Sequence, residues 1–340
     1  MLHLRHSSSL SRREALRRFG LIGGVTVASS LLPRVARAAD AKALPALTGS
    51  QPGHYRFRVG DFDAVVLNDG QFAMPLAQSP FGVGESADDV IDVLDQDFWP
   101  TDQVRISINV LLIRTKTDLV LVDAGCGSGF GDAGGRVAAN LTALGIHPEQ
   151  VTVVILTHLH GDHFGGLFDA DNKPVFKNAR YILPRREHDF WMSSPDLSRC
   201  ALPADVRASF VQAAQATVNG LKGKWELVDA KARPLDGVEF IDAPGHTPGH
   251  IAVAFTSGSE QLINMADVAH HPTISFARPE WQLAFDTEPE IAARTRQSFF
   301  DRVAADRSRL FGGHMPFPAL GRVRAVSGKF EYVPEPWQPI

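Results

Sequence analysis

The sequence has few cysteines, little net charge and no apolar run of membrane-spanning length. Its 340 residues include 2 cysteines, Cys126 and Cys200, too few for the disulfide framework of a small secreted domain. We expect both to be free thiols, with one disulfide between them as the alternative. The formal net charge of −4 gives no broad basic surface, which argues against nucleic acid as a partner. Apolar residues make up 44% of the chain, enough for a substantial core.

The first 38 residues have the pattern of an export signal. The pair Arg12-Arg13 precedes an apolar run, Phe19–Leu32, and the small-residue pattern Ala36-Arg37-Ala38 follows it. This order resembles a twin-arginine signal peptide cleaved after Ala38. Because the run is shorter than the ~20 residues of a spanning helix, a membrane anchor is the less favoured alternative. We therefore predict export by the twin-arginine machinery, a periplasmic location, a flexible leader over residues 39–53 and a single domain over residues 54–340.

Three imidazoles and a carboxylate follow a short apolar segment in the middle of the chain. The segment Val151–Leu156 is rich in β-branched residues and predicts a buried strand. The side chains that follow it are His158, His160, Asp162 and His163. Residues two apart in an extended segment point to the same side, so the first two can hold one ion, while Gly161 can turn the others toward a second. Imidazole and carboxylate suit zinc first, with iron, cobalt or manganese as alternatives.

Three further potential ligands each follow another predicted strand. His246 lies in a turn of prolines and glycines after the strand Val238–Ile241, Asp267 ends an apolar run, and His314 follows a third run. Because strand ends can converge at one edge of a layered sheet, we expect these residues to complete two ion sites. For any single histidine, an ordinary surface residue is the alternative interpretation.

The remaining periodicity predicts two hairpins and several helices. The hairpins are residues 55–68 and residues 105–123, and the segment 79–102 is expected to be a loop with one helical turn at residues 88–94. The predicted helices are Gly134–Leu144, Pro184–Met192, Pro203–Leu221 and Glu290–Ala304. Pattern alone indicates only a mixture of α and β structure.

The seven potential ligands together resemble the metallo-β-lactamase superfamily in its two-metal form. They are His158, His160, Asp162, His163, His246, Asp267 and His314. Within the superfamily, residues 52–62, residues 119–125 and the ending Glu331–Pro334 resemble the methyl parathion hydrolase group and its lactonase relatives. The resemblance implies an α+β fold, a four-layer αββα sandwich with the metals between two sheet halves.

The resemblance also implies a ligand assignment and a reaction. One ion would be held by His158, His160 and His246, the other by Asp162, His163 and His314, with Asp267 as the bridge. Two zinc ions would hold a bridging hydroxide that opens lactones or cleaves aryl esters, with phosphotriesterase activity as a side reaction. Asp162 and Asp267 are therefore expected to be catalytic. Asp123 is expected to support the metal-binding loop, with a simple turn residue as the alternative.

Other functions remain open at this stage. A specialised organophosphate hydrolase is the alternative within the class. An iron-dependent sulfur dioxygenase and a non-catalytic metal-binding protein are the alternatives outside it. The resemblance further implies a small-molecule substrate and a homodimer.

An aromatic wall is expected beside the metals. By resemblance, Phe130, Trp191 and Phe210 match positions that frame the leaving group, and such a wall favours flat, apolar substrates. Packing in the core is the alternative for each of the three, and the helical spacing of Phe210 gives that alternative most weight.

One histidine differs from the lactonase pattern. Acyl-homoserine lactonases of the superfamily place a tyrosine three residues after the bridging aspartate, where this sequence has His270. We hypothesise that His270 donates to the oxyanion or protonates the leaving alkoxide. His250 and His271 are expected to be structural, and Cys126 to be a packing residue.

Overall fold

The computed structural model describes residues 53–338. The predicted export signal at residues 1–38 and the leader at residues 39–53 lie outside the described residues, apart from Gly53. Within the described range, no helix combines the length and the apolarity that a membrane crossing requires.

Two β-sheets form the centre of the fold. The first sheet has seven strands in sequence order: β1 His54–Val59, β2 Phe62–Pro75, β3 Gln103–Arg114, β4 Leu119–Val122, β5 Val153–Ile155, β6 Arg180–Pro184 and β7 Trp225–Val228. Strands β1 to β4 pair in antiparallel fashion, and β4 to β7 pair in parallel. Both predicted hairpins, β1–β2 and β3–β4, are confirmed.

The second sheet has six strands in the order β13-β12-β11-β10-β9-β8. Their bounds are β8 Val238–Asp242, β9 Ile251–Ser257, β10 Glu260–Asn264, β11 Arg309–Phe311, β12 Leu320–Val326 and β13 Lys329–Pro334. Only the pair β10–β11 in this sheet is parallel. Parallel pairing brings the C-terminal ends of these two strands to the same edge.

The α-helices lie between and after the strands. They are α1 Ala87–Gln96, α2 Val137–Ala143, α3 Gly161–Phe164, α4 Arg185–Met192, α5 Ala204–Gly220, α6 Ile274–Ala277 and α7 Pro289–Ala305. Short 3-10 helices lie at Leu76–Gln78, Gly127–Ala133, Pro148–Gln150, Gly165–Leu167 and Ala266–Val268. The four predicted helices correspond to α2, α4, α5 and α7.

The helix α1 is longer than the single turn that the sequence predicts at residues 88–94. Ser86 caps its first turn, because the Ser86 hydroxyl accepts from the backbone N–H of Asp89 while the Asp89 carboxylate accepts from the backbone N–H of Ser86. Val90, Val93 and Leu94 on its inner face are buried. The capping pair was the available signal for a complete helix.

Alternation along the first sheet produces the layers. Ala64 and Val66 of β2 face the core between the sheets, while Leu67 faces the opposite side, in the same buried cluster as Leu141 of α2 and Val218 of α5. On the other side of the molecule, Phe299, Phe300 and Val303 of α7 pack against the second sheet. The predicted four-layer αββα sandwich is therefore confirmed.

Candidate metal centre

The seven predicted ligands converge at the ends of four strands. The loop after β5 carries four of them, and β8, β10 and β11 each lead to one more. Their ligand atoms form overlapping groups whose members lie within 4.8 Å of one another: His158, His160 and His246; Asp162, His163 and His314; and His158, His163 and Asp267. A fourth group joins His246 and Asp267 to His270. The expectation that separated strand ends meet at one edge is confirmed.

Asp267 lies at the centre of this cluster. Its Oδ2 is 3.2 Å from Nε2 of both His246 and His314. Its Oδ1 is 3.2 Å from Nε2 of His163. Oδ2 thus lies between His246 and His314, and Oδ1 faces His163, so the carboxylate contacts ligands on both sides of the cluster, as a bridging ligand would.

Hydrogen bonds behind the imidazoles fix which nitrogen faces inward. Nδ1 of His163 donates to Asp123 Oδ2 at 3.0 Å, and Nδ1 of His246 donates to Asp286 Oδ1 at 2.8 Å. Nδ1 of His314 donates to the carbonyl of Ser107 at 2.8 Å. Because each Nδ1 donates outward, Nε2 is the nitrogen of each ring that faces the cluster and is available to an ion.

Asp123 also holds the start of the metal-binding loop. It adopts a left-handed φ of 63°, and its Oδ1 accepts from the backbone N–H of Thr157 at 2.9 Å. The Thr157 hydroxyl donates to the same carboxylate and lies 3.1 Å from Nδ1 of His158. Asp123 therefore orients one imidazole directly and a second through Thr157, which matches the supporting role predicted for it.

The inward atoms fit a pair of divalent ions. Within residues 53–338, the buried atoms without a hydrogen-bond partner include His158 Nε2, His163 Nε2 and Asp267 Oδ1. A buried polar atom without a partner is costly, so a group of them aimed at one volume indicates a ligand that supplies the missing interactions. Nitrogen and carboxylate donors are those that zinc and its neighbours prefer.

The electrostatic environment prepares the cluster for cations. Burial would raise the pKa of the Asp267 carboxyl, but the surrounding imidazoles outweigh burial and hold that pKa well below its ordinary range. Burial holds the pKa of His158 and His160 well below the ordinary value, so both rings are neutral ligands. Burial also opposes protonation of His246, yet Asp267 and Asp286 raise its pKa to about 9. Ion binding must therefore displace a proton from this ring.

His250 supports Asp267 from behind. Its Nδ1 donates to the carbonyl of Ala243 at 2.7 Å, and its Nε2 accepts from the backbone N–H of Asp267 at 3.0 Å. His271 is also buried, and its Nδ1 accepts from the backbone N–H groups of Thr273 and Ile274. Both rings have backbone partners, as expected of structural histidines.

His270 lies at the boundary between the cluster and a cavity. Its ring lines the cavity and stacks on His314 with 5.1 Å between ring centroids. Its Nε2 is 2.9 Å from Asp267 Oδ2. Burial lowers the pKa of His270 to about 4 despite the nearby carboxylate. The hypothesis that His270 reaches the pocket is consistent with this position.

A cavity of about 740 Å³ opens onto the metal-binding residues. Its walls are mainly apolar and include Phe72, Phe130, Phe168, Phe210 and Phe285. The Phe130 ring packs on Phe72 at 5.1 Å and is 40% exposed at the cavity mouth. Of the three aromatic residues predicted to frame the substrate, Phe130 and Phe210 line the cavity.

The prediction that Trp191 lines the pocket is wrong. Its side chain is 0% exposed and lies behind His160, with 5.9 Å between ring centroids, rather than at the cavity surface. The indole Nε1–H donates to Glu187 Oε1 at 2.7 Å. A buried indole needs such a partner, and Glu187 four residues earlier on the same helix supplies it. Trp191 therefore packs beneath a metal-binding residue.

Three buried carboxylates near the site have no counterpart in the sequence-based predictions. Asp286 orients His246, and Glu187 accepts hydrogen bonds from two loops. Asp69 lies at a bulge in β2 and accepts from the backbone N–H groups of Cys126, Gly135 and Val137. These bonds hold the segment that carries Phe130.

The two cysteines are free and buried, as expected. Burial raises the pKa of the Cys126 thiol well above its ordinary value, and the nearby carboxylates of Asp162 and Asp69 add to this effect. A protonated, buried thiol is a poor nucleophile. Cys126 is therefore a packing residue at the edge of the cavity, in agreement with the prediction.

Comparison with known proteins identifies the family. Residues 104–314 match the model of the metallo-beta-lactamase superfamily. The chain belongs to this superfamily, and its site is that of a metal-dependent, lactonase-like hydrolase with a binuclear divalent metal site. The predicted superfamily is thus confirmed.

Two solved structures and two curated relatives are similar over much of the chain. AidC, a dizinc quorum-quenching lactonase in complex with the product N-hexnoyl-L-homoserine, is 30% identical, with 84% of this chain and 99% of AidC covered and a TM-score of 0.81. The hydrolase AbOPH of the beta lactamase superfamily is 28% identical, with 86% of this chain and 100% of AbOPH covered and a TM-score of 0.77.

Two curated proteins are also similar to this chain. A protein of Mycobacterium bovis named "Probable metallo-hydrolase" is 28% identical over 59% of this chain and 69% of its own length. An N-acyl homoserine lactonase of a Bacillus species is 25% identical over 53% of this chain and 62% of its own length.

Proposed function

We propose that this protein is a two-zinc hydrolase that opens lactones and cleaves aryl esters. The observation that carries the proposal is the apolar cavity that ends on the cluster of imidazoles and carboxylates. A lactone or aryl ester has an apolar body and one reactive carbonyl, which suits such a cavity. The likeness to AidC and to a Bacillus lactonase supports this choice of substrate.

In this proposal the ligands divide as two of the four groups of nearby donor atoms suggest, and the other two groups share Asp267. His158, His160 and His246 would hold one ion, Asp162, His163 and His314 would hold the other, and Asp267 lies where it could serve both. Ions bound here would activate a water molecule as the nucleophile at neutral pH and polarise the scissile carbonyl. The outward hydrogen bonds of His163, His246 and His314 direct their Nε2 atoms into the cluster, where each could bind an ion in place of a proton.

The side chains of the cavity bind and orient the substrate. Phe130 and Phe210 provide flat apolar surfaces on the cavity wall and would exclude water from the reacting carbonyl. His270 lines the cavity, and its Nε2–H donates to Asp267 Oδ2 at 2.9 Å. With this carboxylate oxygen bound to an ion, the N–H would be free to donate to a negatively charged oxygen of the substrate. We propose this donor role for His270 and expect His270→Ala to lower kcat at least tenfold; a kcat within about twofold of wild type would exclude it.

A parallel rate assay tests the proposed function. Purified mature protein, with its metals counted, is assayed on dihydrocoumarin, an acyl-homoserine lactone and methyl parathion. We expect a dominant lactone rate that is lost in Asp267→Ala. A dominant methyl parathion rate would favour the organophosphate hydrolase instead. One iron per chain with no hydrolysis would favour a dioxygenase and refute the proposal.

We further propose export to the periplasm and a homodimeric state. The supporting observation for export is the arginine pair followed by an apolar run in residues 1–38. Fractionation of cells that carry the wild-type chain and an Arg12→Lys, Arg13→Lys variant tests it, because the variant should remain in the cytoplasm. Light scattering measures the molar mass in solution and so tests the dimer. A mass equal to that of one chain would contradict it.

A further inference from the structure

A buried glutamate connects two of the loops that carry metal-binding histidines. Glu187 lies in the first turn of α4 and is 0% exposed. Burial raises the pKa of its carboxyl, although four hydrogen bonds act in the opposite direction. The side chain does not line the cavity and so has no contact with substrate. Its position must therefore be explained by what it holds.

Each carboxylate oxygen of Glu187 accepts two hydrogen bonds. Oε1 accepts from the backbone N–H of Leu159 at 2.9 Å and from the Trp191 indole at 2.7 Å. Oε2 accepts from the Thr247 hydroxyl at 2.7 Å and from the backbone N–H of Gly249 at 3.0 Å. All four partners are donors, so the carboxylate is fully satisfied without a counter-ion.

Three of the four donors, Leu159, Thr247 and Gly249, belong to two loops that carry metal-binding histidines. Leu159 lies between His158 and His160, and Thr247 directly follows His246. One carboxylate thus sets the separation of the three histidines of a single ion site. The α4 backbone also approaches the second loop closely, because an added Cβ at Gly249 would lie 2.2 Å from the Glu187 nitrogen.

We propose that Glu187 is the positioning residue of the His158, His160 and His246 ion site. It fixes the distance between the two loops and so sets the affinity of that site. Asp123 holds His163 of the other site directly and reaches His158 only through Thr157. The inference rests on the two-ion assignment of the proposed function. Ligand atoms must be placed within about 0.5 Å to bind tightly, so a loop that moves loses affinity at its own site first.

Glu187→Gln is the informative substitution. The amide nitrogen can be tolerated only beside Thr247, whose hydroxyl is able to accept a hydrogen bond. The backbone N–H of Gly249 then faces another donor and loses its partner, whereas the bonds to Leu159 and Trp191 survive. The variant therefore releases the His246 loop without emptying the space that the side chain fills.

Asp123→Asn and Asp69→Asn provide the matched comparisons. Asp123 supports His163 on the other side of the cluster through Oδ2. Its Oδ1 holds Thr157, and the amide oxygen of asparagine retains that contact, so Asp123→Asn removes mainly the support of His163. Asp69 is equally buried and accepts three backbone hydrogen bonds, yet its partners, Cys126, Gly135 and Val137, carry no metal-binding residue. Asp69→Asn therefore controls for the loss of stability that follows from replacing any buried carboxylate.

The experiment measures both zinc dissociation constants by competition with a chelator. We expect Glu187→Gln to weaken one constant by about 10- to 100-fold and Asp123→Asn to weaken the other. Asp69→Asn should leave both zinc dissociation constants within about twofold of wild type. The visible spectrum of the cobalt-loaded protein should change in Glu187→Gln but not in Asp69→Asn. Where Glu187→Gln does not fold, Thr247→Val should weaken the same constant by about 2- to 10-fold.

The contrary results are equally defined. Unchanged constants in Glu187→Gln, or an equal loss in Asp69→Asn, would overturn the positioning role. So would a loss at the same constant in Glu187→Gln and Asp123→Asn. A wild-type protein that binds two ions but cleaves no lactone refutes only the proposed function, whereas one that binds fewer than two ions overturns both.

Discussion

Asp123→Asn tests how the support behind the ligands controls the metal centre. Asparagine is chosen because it tolerates the left-handed φ of 63° at this position, whereas alanine would add about 1–2 kcal/mol of backbone strain. The backbone N–H of Thr157 can only donate, so it keeps the remaining oxygen. The amide nitrogen then faces Nδ1 of His163, where the wild-type carboxylate accepts at 3.0 Å.

Two donors cannot face each other, so the His163 ring must change its tautomer. Its Nδ1 becomes the acceptor, and the proton moves to Nε2, which is the nitrogen that faces the ions. Loss of a supporting partner of this kind costs about 10- to 100-fold in metal affinity, or about 1.4–2.8 kcal/mol. Loss of a charged hydrogen bond should also lower the stability by about 1.5–3 kcal/mol.

The assay is a zinc titration of metal-free protein against a fluorescent chelator, together with thermal unfolding. At about 2–4 °C per kcal/mol for a domain of this size, we expect Tm to fall by about 3–12 °C. Asp301→Asn, an exposed carboxylate on α7, should change neither quantity. If both zinc constants of Asp123→Asn stayed within twofold of wild type, the argument from the tautomer would be refuted.

Three further predictions concern the cavity, the thiols and the metals. Phe210→Ala should raise KM for an aryl ester about fivefold by removing about 1 kcal/mol of apolar contact, whereas Trp191→Phe should leave KM within twofold; equal effects would contradict their different positions. Because burial raises the pKa of Cys126 above 9.0, neither it nor Cys200 should react with a disulfide reagent at pH 8 in native protein, and both should react after unfolding. The folded protein keeps these thiols protonated, whereas the unfolded chain releases the protons above about pH 9.0. Their contribution to the stability is therefore present below pH 9.0 and is lost as the pH rises above that value. Removal of metal by a chelator should abolish hydrolysis and lower Tm by about 8–16 °C, since ligand at 1,000 times its dissociation constant stabilises by about 4 kcal/mol; an unchanged Tm would contradict a structural contribution of the ions.

The sequence was most informative where neighbouring residues act together. His158, His160, Asp162 and His163 lie within six residues, so their convergence depends on local geometry alone. The hairpin β1–β2 follows from alternation around Gly60, whose φ of +56° suits the turn. The ligands His246, Asp267 and His314 could be predicted because each follows a strand end.

Residues whose role depends on distant parts of the chain could not be predicted in this way. Asp286 and Glu187 meet their partners across 40 and 60 positions of sequence, and nothing local distinguishes them from surface carboxylates. Trp191 was assigned to the pocket by resemblance, although Glu187 four residues earlier was a local signal for a buried indole. The packing of α4 against the metal-binding loops determines the positions of both Glu187 and Trp191.

The measurement that tests the account most directly is a stepwise zinc titration of metal-free protein, with dihydrocoumarin hydrolysis followed at each addition. The account requires both ion sites for turnover, so activity should rise mainly with the second equivalent and should be absent throughout in Asp267→Ala. Full activity with one equivalent, or hydrolysis that persists without metal, would contradict a two-metal hydrolase.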